Sequence, residues 1–143
     1  MNEKALGLLG LMRRANAIAI GETNTGAAVK AGRAKLLLLA ADASENARHR
    51  AEGFLFGHSA ILVPLPCTKN EISAMVGVGG CSMAAVTDLG FANALMKALE
   101  TESPLQYAEA AQEVERRLTK EKRRRKETPV QEKTRGRVKG GQT

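Results

Sequence analysis

The chain has 143 residues, 43% of them hydrophobic, which suffices for one buried core and excludes wholesale disorder. Aromatics make up only 3% and there is no Trp, so that core must be built from Ala, Leu, Val, Ile and Met. Two cysteines give no disulfide framework, no signal-peptide pattern is present, and no apolar run approaches the ~20 residues needed to cross a bilayer, so a soluble cytoplasmic protein without a membrane partner is expected. The formal net charge is +7 and is unevenly spread: residues 1–100 carry ten Lys/Arg against eight Asp/Glu, and residues 101–143 carry twelve against seven. An excess concentrated in the last third favours binding of a polyanion over a merely solubilising tail.

Residues 4–15 (KALGLLGLMRRA) have Leu6, Leu9 and Met12 or Arg13 at helical spacing, and two arginines in the last turn suit the unsatisfied carbonyls of a helix end. AIAI (17–20) is a short strand ending at Gly21, and residues 23–31 are a helix closed by Gly32 in the left-handed region. The continuous apolar run AKLLLLAA (34–41) predicts a strand covered on both faces. Ser44 or its neighbour starts a third helix that runs to about Gly53 or Phe56. AILVPLP (60–66) is a strand whose prolines, Pro64 and Pro66, place its end near an edge or loop. Thr68 or Asn70 caps a short fourth helix ending at Gly77, SMAAVTD (82–88) is a further strand, and residues 89–100 form a fifth helix. This alternation of strand and helix predicts an α/β fold, an α-β-α sandwich with helices on both faces of the sheet.

From Ser103 the sequence changes character. Ser103, Pro104 and Gln106 have the spacing of a capping box, and Tyr107, Ala111, Val114 and Leu118 form a weak apolar stripe on the following helix. Docking on the sandwich or on a partner would each explain the stripe. Next, RRLTKEKRRRK (116–126) holds eight basic residues against one acidic: Arg116, Arg117, Lys120, Lys122, Arg123, Arg124, Arg125 and Lys126 are candidates to hold a phosphate backbone. Residues 1–100 thus make the globular domain, 101–126 an amphipathic to basic helical extension, and 127–143 a basic tail expected to be disordered.

Candidate chemistry is sparse. The histidines His49 and His58 and the cysteines Cys67 and Cys81 are scattered, with no metal-ligand spacing and no base placed beside a thiol, so neither a metal nor catalysis is expected. VGVGGCS (76–82) lies between a helix and a strand, the wrong order for a dinucleotide-binding turn. GETNTG does follow a strand and open a helix, but it lacks the further glycines and the lysine of a nucleotide cradle, so no cofactor or small-molecule substrate is expected. The same helix start suits RNA. Gly21 and Glu22 open the turn, Thr23, Asn24 and Thr25 supply short donors and acceptors, and Lys30, Arg33 and Lys35 lie close by for phosphates. An ordinary N-cap would also place Asn and Thr there, and residue chemistry alone leaves both readings open.

Three segments, LGLLGLMRRANAIAIGE, AGRAKLLLLAADASEN and AAVTDLGFANAL, together resemble the kink-turn RNA-binding ribosomal-protein family of the L-seven-Ae type, and most closely its small bacterial YlxQ-like members. The similarity covers about residues 4–100. It implies a three-layer α-β-α sandwich with a four-stranded mixed sheet, and a non-catalytic protein that binds structured RNA in a ribosomal or other ribonucleoprotein setting. In that family the helix after the first strand enters the widened groove beside tandem sheared G·A pairs. The family pattern there is Gly, a variable residue, two polar or acidic residues, and Lys three positions later. Gly21 matches, Thr23 and Asn24 occupy the polar positions with different residues, and Ala27 stands in place of the lysine. Ala17 likewise replaces a common upstream lysine. The second family contact, a loop that packs on an unstacked nucleotide, corresponds to Val78, Gly79, Gly80, Cys81 and Ser82. A charged hydrogen bond contributes roughly 1.5–3 kcal/mol, so two missing lysines would weaken a kink-turn complex by several orders of magnitude. The alternative is a ribosome-associated protein-interaction module whose tail gives only non-specific RNA affinity.

Overall fold

The computed structural model describes the backbone of residues 1–135 and the side chains of residues 1–125. In chain order the elements are α1 (Glu3–Arg14), β1 (Ile18–Ile20), α2 (Glu22–Lys30), β2 (Leu36–Leu39), α3 (Glu45–Leu55), β3 (Ile61–Pro64), α4 (Lys69–Val76), β4 (Met83–Val86), α5 (Leu89–Glu102) and α6 (Pro104–Arg135). The strands form one mixed sheet in the order β1-β4-β2-β3, with β4 antiparallel to both its neighbours and β2 parallel to β3.

The leucine run explains the layers. Successive side chains of a strand face opposite ways, so Leu36 and Leu38 enter one core with Ala84, Val86 and Ile18, while Leu37 and Leu39 enter a second with Met83 and Ala85. Helices α1, α4, α5 and α6 enclose the first core, and α2 and α3 the second. The expected α-β-α sandwich is therefore the observed fold. Each of the four leucines is at most 1% exposed, and burying such a side chain stabilises the fold by about 1.5–3 kcal/mol.

Local signals fix the helix limits. Ser44 caps α3 through its hydroxyl, which accepts from the Ala47 N–H at 3.1 Å. Thr68 and Glu71 form a reciprocal capping box at the start of α4, which Gly77 closes at φ +76°. The box expected at Ser103 is replaced by a tighter joint. There the Ser103 N–H closes α5 on Leu99, and the Ser103 carbonyl, not its hydroxyl, receives the N–H groups of Gln106 and Tyr107. Two helices meeting without a loop leave that serine serving both ends. Strand β2 begins later than its apolar run, because the Ala34 N–H turns back to the Ala28 carbonyl.

Helix α6 docks on its own domain. Tyr107, Ala111 and Val114 are at most 3% exposed and Leu118 packs against the same core, so the stripe needs no partner to explain it. The Tyr107 hydroxyl donates to the Pro64 carbonyl at 2.6 Å, tying α6 to the outer strand β3. The helix continues past Lys126 to Arg135, into the segment expected to be disordered; the remainder of that expectation, residues 136–143, lies outside the described residues.

Candidate nucleic-acid interface

Strand β1 delivers the chain to Gly21, whose φ of +92° strongly favours glycine. The Gly21 N–H donates to the Met83 carbonyl at 3.1 Å, which fastens the start of α2 to the first residue of β4. The first N–H groups of a helix have no partner within it. In α1, α3, α4 and α5 the residues Asn2, Ser44, Thr68 and Asp88 cover part of that deficit with a side chain, but Gly21 has none to offer. The N–H groups of Glu22, Thr23 and Asn24 therefore stand without a side-chain cap at the positive end of a helix dipole, a favourable place for an anion.

Beside this start runs a cleft of about 370 Å³ along the outer edge of β1. Arg13 and Asn16 from the end of α1, Asn24 and Ala27 from α2, Arg33, Val78 and Thr87 line it together with the strand itself. Its floor follows from the register. Thr87 donates to Ala17 and Gly21 donates to Met83, so the odd residues of β1 bond β4, and the backbone groups of Ile18 and Ile20 point outward. Asn24 Nδ2 covers one of these, the Ile20 carbonyl, at 3.0 Å. Asn16 adopts φ +57° in the turn that ends α1, with its own N–H on Arg13 and that of Ala17 on Met12. The Arg13 Nε donates to the Val76 carbonyl at 3.3 Å, which holds one guanidinium beside the glycine loop.

The structure separates the residues expected to act together. Thr23 and Asn24 are exposed, and Glu22 pairs with Arg50 of α3. Thr25 is wholly buried, its N–H bonded to Gly21 at 2.9 Å, so it presents nothing outward. Cys81 is also buried: its N–H donates to Ser73 Oγ, its thiol to the Met83 carbonyl, and burial pushes the thiol's ionisation up. These two drop out of the expected contact set, because each side chain faces the sheet. Val78, Gly79 and Gly80 are exposed and Ser82 is half-buried.

The three cations just beyond the helix start go three ways. Lys30 lines a shallow groove with Thr23, Gly26 and Phe54, Arg33 enters the β1-edge cleft, and Lys35 faces a third groove beside α6. Arg116, Arg117, Lys120 and Arg124 share that third groove, whereas Lys122, Arg123 and Arg125 are exposed and do not line it. Arg125 pairs with Glu121 at 2.8 Å; the Lys126 side chain lies outside those described. Ala27 is exposed in the cleft, so a lysine there would reach a ligand, but Ala17 is 7% exposed within the core. Its departure from the family lysine therefore removes no surface cation from this face.

Arg13, Asn16 and Thr87 line the cleft and Arg50 pairs with Glu22, and none of them is among the residues that the sequence singles out for RNA. Asn16 carried a readable signal, an Asn between a helix end and a strand; Arg13 had been accounted for by the helix dipole alone. Among the described residues no group of three or more His, Cys, Asp or Glu is placed to hold a metal ion. Burial pushes the Cys67 thiol up to about 11, a poor state for a nucleophile.

No family model and no curated protein sequence matches the chain. Among solved structures it is similar to a protein of unknown function from Bacillus halodurans, with 24% identity, a TM-score of 0.60, and cover of 66% of this chain and 94% of that one. It is also similar to the Giardia lamblia 15.5kD RNA binding protein, with 20% identity, a TM-score of 0.53, and cover of 68% of this chain and 86% of that one. At these identities the likeness carries the fold.

Proposed function

We propose that this chain is a non-catalytic RNA-binding protein of the L-seven-Ae type, closest to the YlxQ-like members, which receives structured RNA on the α2 start and the β1-edge cleft. The observation that carries the proposal is the junction of the uncapped α2 start with the first residue of β4, just after the glycine loop, made by the Gly21–Met83 hydrogen bond, above a cleft holding Arg13, Arg33, Asn16 and Asn24. The likeness of fold to the Giardia 15.5kD RNA binding protein supports it.

The uncapped N–H groups and the two arginines suit phosphate oxygens, which fix position. The Asn16 and Asn24 amides, the outward backbone groups of Ile18 and the Ile20 N–H suit the edges of unpaired bases. Arg13 and Arg33 supply cations next to Ala27, where the family lysine is missing. The RNA belongs to a ribosome or another ribonucleoprotein in the cytoplasm, and no reaction is catalysed.

The test is the affinity for a kink-turn hairpin against a matched straight duplex, measured across a salt series. Preference for the kinked RNA at every salt concentration is expected. Equal affinities would sink the kink-turn assignment and leave only electrostatic association.

A further inference from the structure

Helix α6 carries two stripes. Tyr107, Ala111, Val114 and Leu118 bury themselves in the sandwich, while Glu113, Arg117, Lys120 and Arg124, at the same spacing, line a groove of about 400 Å³ with Lys35, Ser59 and Arg116. Five basic side chains stand there against two acidic ones, Glu113 and Glu121. The arginines are positioned in advance. Glu113 takes Arg116 through both its carboxylate oxygens, at 3.1 and 2.7 Å, and also takes Arg117 Nε at 2.7 Å. Arg117 Nη1 then reaches the Ser59 carbonyl at 2.9 Å. No aromatic residue lines the groove, so it has no platform for stacking a base.

Its place in the fold gives it a role. The Lys35 N–H bonds the Val86 carbonyl, which puts Lys35 beside the sheet row of Ile18 and Val86, whereas Gly21 shares its row with Met83. Three residues of strand, ~10 Å, separate those rows, less than one turn of a duplex. The segment 33–35 spans the gap: Arg33 lines the β1-edge cleft, Lys35 lines the α6 groove, and the buried Ala34 lies between them.

We infer that residues 33–35 join the two clefts into one track, along which the phosphate backbone of an RNA arm leaving the α2 face runs to α6. This rests on the RNA assignment of the α2 face and adds the route taken by the rest of the molecule. The groove takes phosphodiester, independent of sequence. It makes α6 an extension of the binding surface with a fixed direction.

The test uses the full chain and two RNAs: a kink-turn hairpin cut close to the kink, and the same hairpin with one arm lengthened by a helical turn, each arm in turn. The wild type is expected to bind one of the two lengthened RNAs about tenfold more tightly than the short one. The double variant Lys35→Glu, Lys120→Glu loses that gain, and its salt slope falls by about two, while the short hairpin stays within twofold. Lys35→Gln with Lys120→Gln, a milder pair, should lose part of the gain with an unchanged thermal midpoint, which separates lost contact from lost folding. Equal affinity of the wild type for all lengths would overturn the track, as would a variant that weakens the short and long RNAs alike, or poly-glutamate competing as well as the lengthened arm. A gain with arm length seen equally on straight duplex keeps the track and fails the kink-turn assignment instead.

Discussion

The start of α2 and the basic face of α6 offer a polyanion two different things. At α2 there are few charges: three uncapped backbone donors, an exposed Thr23 and Asn24, and a cleft with two arginines. At α6 there are many, on a regular helix surface whose arginines are fixed by Glu113. The first surface is a cleft with few charges, and the second is a regular helix face with many. On the proposed function, the first would set selectivity and the second affinity, and each could be changed without the other.

The most damaging way to break this division is Val114→Asp. Val114 is 1% exposed, and a carboxylate there would be buried without a partner, so urea unfolding should show a loss of about 3 kcal/mol or more. The groove at α6 would go with it, whereas a loss below about 1 kcal/mol would mean that α6 is not tied to the sandwich. Ala27→Lys sharpens the other side: a cation on an exposed position of the cleft should tighten kink-turn binding by roughly 10- to 100-fold with little change in stability. Unchanged titrations would show that RNA does not cross Ala27. Gly26→Ala tests the scaffold beneath. A Cβ there would lie 2.8 Å from two carbons of the Phe54 ring, so a loss of about 1–3 kcal/mol is expected in thermal melts, and an unchanged midpoint would show that Phe54 yields freely.

The smallest effect is a titration. The folded-state thiol of Cys67 is pushed up to about 11 by burial, with the Glu71 carboxylate adding to it. The unfolded chain therefore releases this proton at lower pH than the folded one, and stability is kept below the ordinary thiol range and lost as pH rises towards 11. Denaturation midpoints should fall across that window and fall less in Cys67→Ala; identical slopes would remove the thiol from the account.

The sequence was most legible where physics is local. Ser44 or its neighbour and Thr68 or Asn70 were readable as caps, Gly77 as a helix end, and the run 34–41 as a doubly covered strand, because each depends on neighbours a few positions away. The site was less legible because it depends on facing. Thr25 and Cys81 lie within the segments expected to form the interface, yet both side chains are buried. Arg33 and Lys35 are two residues apart and line different clefts, with the buried Ala34 between them. Arg13 comes to the site only because α1 packs against α4.

The two outer strands have a consequence for how this protein behaves in a crowd. On β3, the carbonyl that faces away from β2 at Pro64 is taken by Tyr107, and proline has no N–H to give. At Pro64 that rim offers nothing to a further strand. On β1, the outward groups of Ile18 and the N–H of Ile20 are left as a rim flanked by Arg13 and Arg33. Like charges meeting there discourage two copies from pairing strand to strand. The arginines that serve the binding cleft are thereby also the guards against self-association, and neutralising both would be expected to cost solubility before it costs the fold.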